Sequence, residues 1–180
     1  MAANTILDAQ AVERTVRRLA HEVIEKNANS GEIAIVGIQT RGVPLANRLA
    51  KLIGEIEGRP VPLGYIDVTL FRDDYRTTLK SEVPQGNSLS FSVNDKNIIL
   101  VDDVLFTGRT IRAAIDELMS FGRPKRIQLL VLVDRGHRQL PIRADYVGKN
   151  LPTNADDKVK VKMLEVDGID EVVLKKQEEN

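Results

Sequence analysis

Hydrophobic positions along the chain fall into runs whose spacing predicts the elements. Val12, Val16, Leu19, Ala20, Val23 and Ile24 recur at helical spacing behind Asp8, a good capping residue, and predict a helix to about Asn27. Arg14, Arg18, His21 and Glu25 point away from that apolar face, with Arg17 on its flank. Ile33 to Ile38 is apolar without interruption and predicts a buried strand. The turn Gln39 to Gly42 leads into a second helix with Pro44 in its first turn, and Gly58-Arg59-Pro60 breaks it after about Glu57. Val61 to Leu70 predicts one strand or two short ones. From about 71 to 96 charges mix with Thr, Ser, Pro84, Gly86 and Asn87 without a long apolar period, and a flexible loop is expected.

The pattern sharpens again at Ile98 to Val101, a strand covered on both faces, with Asp102 and Asp103 at its C-terminal end. The loop Phe106-Thr107-Gly108-Arg109-Thr110 opens a further helix, which Phe121-Gly122 ends with the glycine at the left-handed position past the last turn. Ile127 to Val133 is another buried strand, leading to Asp134-Arg135-Gly136-His137. Tyr146 and Val147 are expected to begin a small C-terminal sheet, continued by the alternation from Val159 to Val166 and by Val172 to Leu174. Strands alternating with helices predict an α/β protein, a parallel twisted sheet flanked by helices. The polar stretches Thr40 to Gly42, Asp102 to Thr110 and Asp134 to His137 all leave the C-terminal ends of strands. Open α/β sheets bind ligands at that edge, so the three predict one shared site.

The chemistry of that site is most specific between Asp102 and Thr110. Hydroxyls at Thr107 and Thr110, a glycine that lets the backbone approach closely, and the first free N–H groups of a helix suit a phosphate. Two acids beside an anion cradle suit a polyol, and a ribose 5-phosphate combines both. Adjacent acids at a strand end are also found as a plain solvated edge, or around Mg²⁺ in receiver-like proteins; the Thr-Gly-x-Thr loop behind them is what separates this case. The Gly-x₄-Gly-Lys-Ser/Thr pattern of a Walker loop is missing.

Composition narrows the partners. At 180 residues a single domain with a full core is expected. Lys+Arg and Asp+Glu are 26 each, so any nucleic-acid site must be a local patch. With no cysteine, thiolate nucleophiles, disulfides and Cys-based zinc sites are excluded, and two histidines make a His-rich metal site an unpromising reading. No apolar run reaches the roughly 18–20 residues of a membrane span and the N-terminus carries no signal-peptide core, so no membrane association and a cytoplasmic location are expected.

Ile99 to Thr110 resembles the phosphoribosyl diphosphate (PRPP) signature of type I phosphoribosyltransferases. Val36 to Gly42, Asp67 to Asp74, Val131 to Asp145 and Tyr146 to Pro152 extend the likeness nearly end to end, to the bifunctional pyrimidine operon attenuation regulators. That resemblance implies a single type I phosphoribosyltransferase domain over 1–180, with a small hood formed largely by about 138–180. It implies conversion of uracil and PRPP to UMP and diphosphate with Mg²⁺, and binding of pyrimidine-operon leader mRNA promoted by UMP or UTP. A uracil or purine phosphoribosyltransferase without an RNA role is the alternative. Asp102 and Asp103 would contact the ribose hydroxyls and position water on Mg²⁺, and Phe106 to Thr110 would hold the 5′-phosphate. Thr40-Arg41-Gly42 would form the pyrophosphate loop, with Arg41 as a catalytic cation. Asp134, Arg135, His137, Tyr146 and Val147 would border the base, Tyr146 by stacking and Val147 through its backbone. Arg72 and Arg76 would act from a lid. No convincing general base for the uracil N–H emerges; Asp134 and His137 are considered, alongside a pyrophosphate oxygen or solvent. Relatives assemble as homodimers or larger homo-oligomers.

For RNA, the basic residues available are Arg14, Arg17, Arg18, His21 and Lys26 on the first helix, and Arg138, Arg143 and Lys149 further on. Lys158, Lys160 and Lys162 share one face of a predicted strand, a pattern that also protects sheet edges from aggregation. Phe and Tyr number 4 and 3 and Trp is absent, which disfavours an aromatic platform for single strands. A basic surface that reads a hairpin through its phosphates fits better.

Overall fold

A computed structural model describes residues 3–28, 32–68 and 86–176. Arg72 and Arg76, with the stretch 69–85 around them, lie outside the described residues. Helix α1 spans Ala9–Asn27, and the Asp8 carboxylate accepts from the Ala11 amide at 2.8 Å, as the capping pattern predicts. It buries Val12, Val16, Leu19, Ala20 and Val23. Strand β2 (Ile33–Ile38) and helix α2 (Gly42–Glu57) follow, then β3 (Leu63–Ile66), β4 (Asn97–Leu105), α3 (Arg109–Ser120), β5 (Arg126–Asp134) and β6 (Tyr146–Asn150). Among the described residues the main sheet has the order β3-β2-β4-β5-β6, with neighbouring strands parallel throughout.

The uninterrupted apolar runs have a direct cause, since both faces of this sheet are covered. Ile35, Ile99, Val101, Leu130 and Leu132 pack toward α1 and α2, whereas Ala34, Val36, Ile98, Leu100, Leu129 and Val131 pack on the opposite side with Ile111, Ala114 and Leu118 of α3.

Three features depart from the sequence pattern. First, β4 runs on through Asp102 and Asp103 to Leu105, with Asp102 opposite Val131 and Leu105 opposite Asp134. The acids therefore sit within the strand rather than in the loop after it. Second, Tyr146 and Val147 do not begin a C-terminal sheet: Tyr146 pairs with Leu130 and Val147 with Val131, extending the main sheet at its edge. The smaller sheet is instead built from β7 (Lys158–Lys162), β8 (Glu171–Lys175) and an N-terminal strand, β1 (Ala3–Leu7), in the order β1-β8-β7, with a short helix α4 (Leu164–Asp167) between β7 and β8. Third, of the 71–96 segment, residues 86–96 are packed: Ser88 bridges Tyr65, Val93 is buried, and Leu89 and Phe91 lie against the α3-side core. Among the described residues no helix is long and apolar enough to cross a membrane.

Candidate functional site

Parallel pairing brings the C-terminal ends of β2 and β4 side by side, and the segments that leave them enclose a cavity of about 440 Å³. Its walls are Gln39 to Arg41, Asp102 to Ile111, Arg135 and Val159 to Val161. Thr40 and Arg41 come to it from β2, with Gly42 directly after them. Gly42 lies so close to β4 that a Cβ would meet the Val101 carbonyl oxygen at 2.5 Å, so only glycine lets this turn rest on the strand that carries the acids. Asp102 and Asp103 stand side by side on the cavity wall. Asp102 is buried and its Oδ1 accepts from the Asp103 amide at 2.9 Å, while Asp103 Oδ1 accepts from the Val104 amide at 2.8 Å.

The turn from Phe106 to Thr110 is held from outside the cavity. Arg138 donates to the Phe106 carbonyl at 2.8 Å, the amides of Gln139 and Leu140 donate to the Thr107 carbonyl at 2.9 and 3.2 Å, and Arg109 Nε donates to Gln139 Oε1 at 2.9 Å. Gly108 takes φ 92° as the residue that starts α3. Neither N-cap residue of the two helices that open on the cavity, Gly108 of α3 or Arg41 of α2, supplies a side-chain cap, and the Arg109 amide reaches Thr107 Oγ1 only at 3.4 Å, whereas α1, which does not line the cavity, has its Asp8 cap. Helix N-termini left without a side-chain cap are sites for anions. The cavity thus presents two such termini and a pair of carboxylates in one lining. Among the described residues no group of three or more His, Asp or Glu side chains is gathered to hold a metal. Asp102 and Asp103 match the one or two carboxylates that accompany Mg²⁺ when phosphate and water oxygens complete its shell, so the donor set fits that ion together with a phosphorylated ligand.

The residues expected at the base are placed differently. Arg135 lines the cavity, yet its guanidinium is buried: it donates to Thr153 Oγ1 at 3.2 Å and to the carbonyls of Asn154 and Ala155 at 2.9 and 3.2 Å. Burial lowers its pKa, with Asp157 acting in the opposite sense. Asp134 is not in the lining; it accepts from Arg138 Nη2 at 2.5 Å and from the Gly136 amide at 3.0 Å. His137 Nε2 donates to the Thr153 carbonyl at 2.7 Å and its ring meets Phe106 edge-on, so it serves the scaffold of the loop. Tyr146 is 1% exposed, packs in the α1-side core and takes the Asn27 side-chain amide on its hydroxyl at 3.0 Å. A ring enclosed on both faces cannot stack on a base, which overturns the stacking expected of it. Val147 packs with the α3-side core. The cavity is also lined by Val159, Lys160 and Val161 of β7, a stretch the sequence pattern marks as a C-terminal strand with a lysine face and not as part of the site.

The basic residues separate into groups. Arg14, Arg17, Arg18, His21 and Lys26 are exposed on α1. Arg18 donates to the Gly148 carbonyl at 2.7 Å and Lys26 to the Asp145 carbonyl at 2.8 Å, so the basic face of α1 abuts the β6 edge, beside exposed Arg143 and Lys149. Arg138 is turned inward, donating to the Phe106 and Ile142 carbonyls and to Asp134.

The family model for a phosphoribosyl transferase domain matches residues 2–167. The chain is 54% identical over 169 residues to the bifunctional protein PyrR of Pelotomaculum thermopropionicum, covering 94% of this chain and 93% of that protein. It is 54% identical over 170 residues to the bifunctional protein PyrR of Clostridioides difficile, covering 94% and 96%. In fold it is similar to the hypoxanthine phosphoribosyltransferase of Trypanosoma cruzi, with a TM-score of 0.74, 15% identity and 97% of each chain covered. A hypoxanthine-guanine phosphoribosyltransferase of Bacillus anthracis gives a TM-score of 0.66 at 21% identity, covering 83% of this chain and 84% of that one.

Proposed function

This chain belongs to the phosphoribosyltransferase family and, within it, to the bifunctional PyrR proteins, and from that premise we propose that it transfers the phosphoribosyl group of PRPP to uracil, releasing diphosphate and forming UMP. The observation that carries the reading is the cavity in which the uncapped N-termini of α2 and α3 share one lining with Asp102 and Asp103. PRPP carries an anion at each end of a ribose, and two anion-suited helix termini with a carboxylate pair in the same cavity match that composition.

Displacing diphosphate from the anomeric carbon builds positive charge on the ribose and negative charge on the leaving group. The carboxylates of Asp102 and Asp103 stabilise the first and hold the ribose hydroxyls. Arg41, with the backbone of Thr40 and Gly42, meets the second, and Phe106 to Thr110 fixes the 5′-phosphate. Mg²⁺, held beside Asp102 and Asp103 by substrate and water oxygens, would supply further neutralisation of the diphosphate when bound. The apolar side chains of Val159 and Val161 in the lining offer a surface for the uracil ring. Asp134 and His137 serve the scaffold, which favours a diphosphate oxygen or water as acceptor of the uracil proton. The test is Mg²⁺-dependent diphosphate release from PRPP with uracil, guanine and hypoxanthine as competing acceptors. Turnover with uracil alone is expected, and turnover with the purines alone would replace the reading by a purine transferase.

The second half of the proposal is a regulator that acts in the cytoplasm, as a homodimer or larger assembly, and binds pyrimidine-operon leader mRNA more tightly with UMP or UTP in the same cavity. The basic face of α1, continued at the β6 edge by Arg143 and Lys149, supports it. Titration of leader RNA with and without UMP decides it: affinity indifferent to both the leader sequence and UMP would reject it.

A further inference from the structure

Arg41 is gripped by a residue that no phosphate motif includes. Asp167, the last residue of α4, accepts from Arg41 Nε at 3.2 Å and from Nη2 at 3.0 Å, a fork-to-fork pair sheltered to 27% and 15% side-chain exposure. The carboxylate is itself fixed from behind. Asp167 Oδ2 also accepts from the Met163 amide at 2.9 Å, and the Asp167 amide donates to the Met163 carbonyl at 2.7 Å. Two helical turns further along α2, Arg48 donates to Glu165 at 2.8 and 2.6 Å and to Asp170 at 2.8 and 2.7 Å. α4 is therefore stitched to α2 by two arginines. Because α4 follows β7 directly, the stitching ties together two segments that both line the cavity, the loop after β2 and β7.

A carboxylate beside an anion-binding arginine lowers the net charge that the anion meets. What the pair supplies instead is orientation. An arginine side chain is long and rotamer-rich, and its guanidinium is a rigid fork whose value lies in direction. Held by Asp167, it keeps one orientation before any ligand arrives, so ligand binding does not have to order it. We infer that Asp167 is a positioning residue that holds Arg41 for the diphosphate group of PRPP. This rests on the reading of the cavity as a PRPP site.

The experiment is calorimetric titration of the full chain with PRPP and, separately, with UMP, both with Mg²⁺. UMP shares the 5′-phosphate and the ribose but has no diphosphate. Asp167→Asn is expected to weaken PRPP about tenfold, the usual loss for one hydrogen-bonded charge contact, and to leave UMP unchanged. Adding Asp167→Asn to Arg41→Met is expected to weaken PRPP no further than Arg41→Met alone. Arg48→Met removes the other stitch of α4 without touching Arg41, and is expected to lower the thermal midpoint while PRPP affinity holds. The inference is overturned if Asp167→Asn binds PRPP like the parent, if it weakens UMP equally, or if Arg48→Met weakens PRPP as much. A parent chain that binds no PRPP removes the proposed function and this inference together. A parent that binds PRPP but ignores uracil removes only the choice of acceptor.

Discussion

The guanidinium of Arg135 lies 4.0 Å from the centroid of the Phe106 ring, joining the turn after β4 to the residues that lead into β7. Its Nε and Nη2 donate to Thr153, Asn154 and Ala155, and the Phe106 carbonyl is taken by Arg138. The turn proposed to hold the 5′-phosphate has its geometry set by these two arginines from the segment that follows β5. Truncation of Arg135 takes the donors from the Asn154 and Ala155 carbonyls and removes the cation over the ring. Arg135→Ala is expected to lose about 2–4 kcal/mol of stability, read from urea melts, and to raise KM for PRPP. Arg135→Lys is expected to recover little, since an ammonium cannot reproduce a planar fork.

The two acids of β4 are expected to behave differently. Asp102 is buried and paired within the strand, whereas Asp103 is partly exposed on the cavity wall. Asp103→Asn keeps volume and removes charge where the ribose becomes cationic. It is expected to lower kcat about 10²–10³-fold with an unchanged melting curve, measured by diphosphate release with uracil. Asp102→Ala is expected to lose both activity and stability, because it removes a buried acceptor from the Asp103 amide.

How much of this was legible depends on the range of the interactions. Ile98 to Thr110 reads as strand, turn and helix because each part is determined by neighbours in sequence, and the cavity forms around it. β1 escaped because five residues carry too little pattern and their partner lies at the other end of the chain, with Thr5 donating to Glu171 at 2.8 Å. The stacking role of Tyr146 comes from the resemblance alone, and an aromatic at a strand start serves a core or a stacking site equally well; burial under α1 decides it. Val159 to Val161 read as part of a small C-terminal sheet, which β7 is, but its placement against the cavity depends on long-range packing that the local pattern does not carry. Alternating Val and Lys signal one strand face toward apolar contacts and leave open what the other face meets.

The α2–α4 stitching predicts acid sensitivity. The Arg48 hydrogen bond holds Glu165 below its usual range, and that of Arg41 does the same for Asp167. For Asp170 burial pulls upward, but the Arg48 contacts and the Leu164 amide bring it lower. Carboxyls whose pKa is lower folded than unfolded add stability above the unfolded value, and that stability is lost as pH falls through the folded value. Urea midpoints are expected to hold from pH 7 to about pH 5 and to drop below about pH 4, where unfolded carboxyls titrate. In Arg48→Met the drop is expected to be shallower. An equally steep drop would place the acid-sensitive groups elsewhere.

Exposed arginines on α1 divide by what they already touch, and RNA binding should follow that division. Arg17 pairs with Glu13 at 3.3 Å across an exposed helix face, an arrangement that contributes little to folding and is easily exchanged for a phosphate. Arg18 donates to the β6 edge at Gly148, where it also covers a strand edge. Arg17→Ala is expected to weaken leader-RNA binding, to reduce the slope of log affinity against log salt by about one, and to leave uracil transfer and melting unchanged. Arg18→Ala is expected to weaken RNA binding and also to lower the melting midpoint, because it uncovers backbone carbonyls of β6. Both effects are read by filter binding across a salt series with parallel diphosphate-release assays. An unchanged salt slope in both variants would move the RNA surface away from α1.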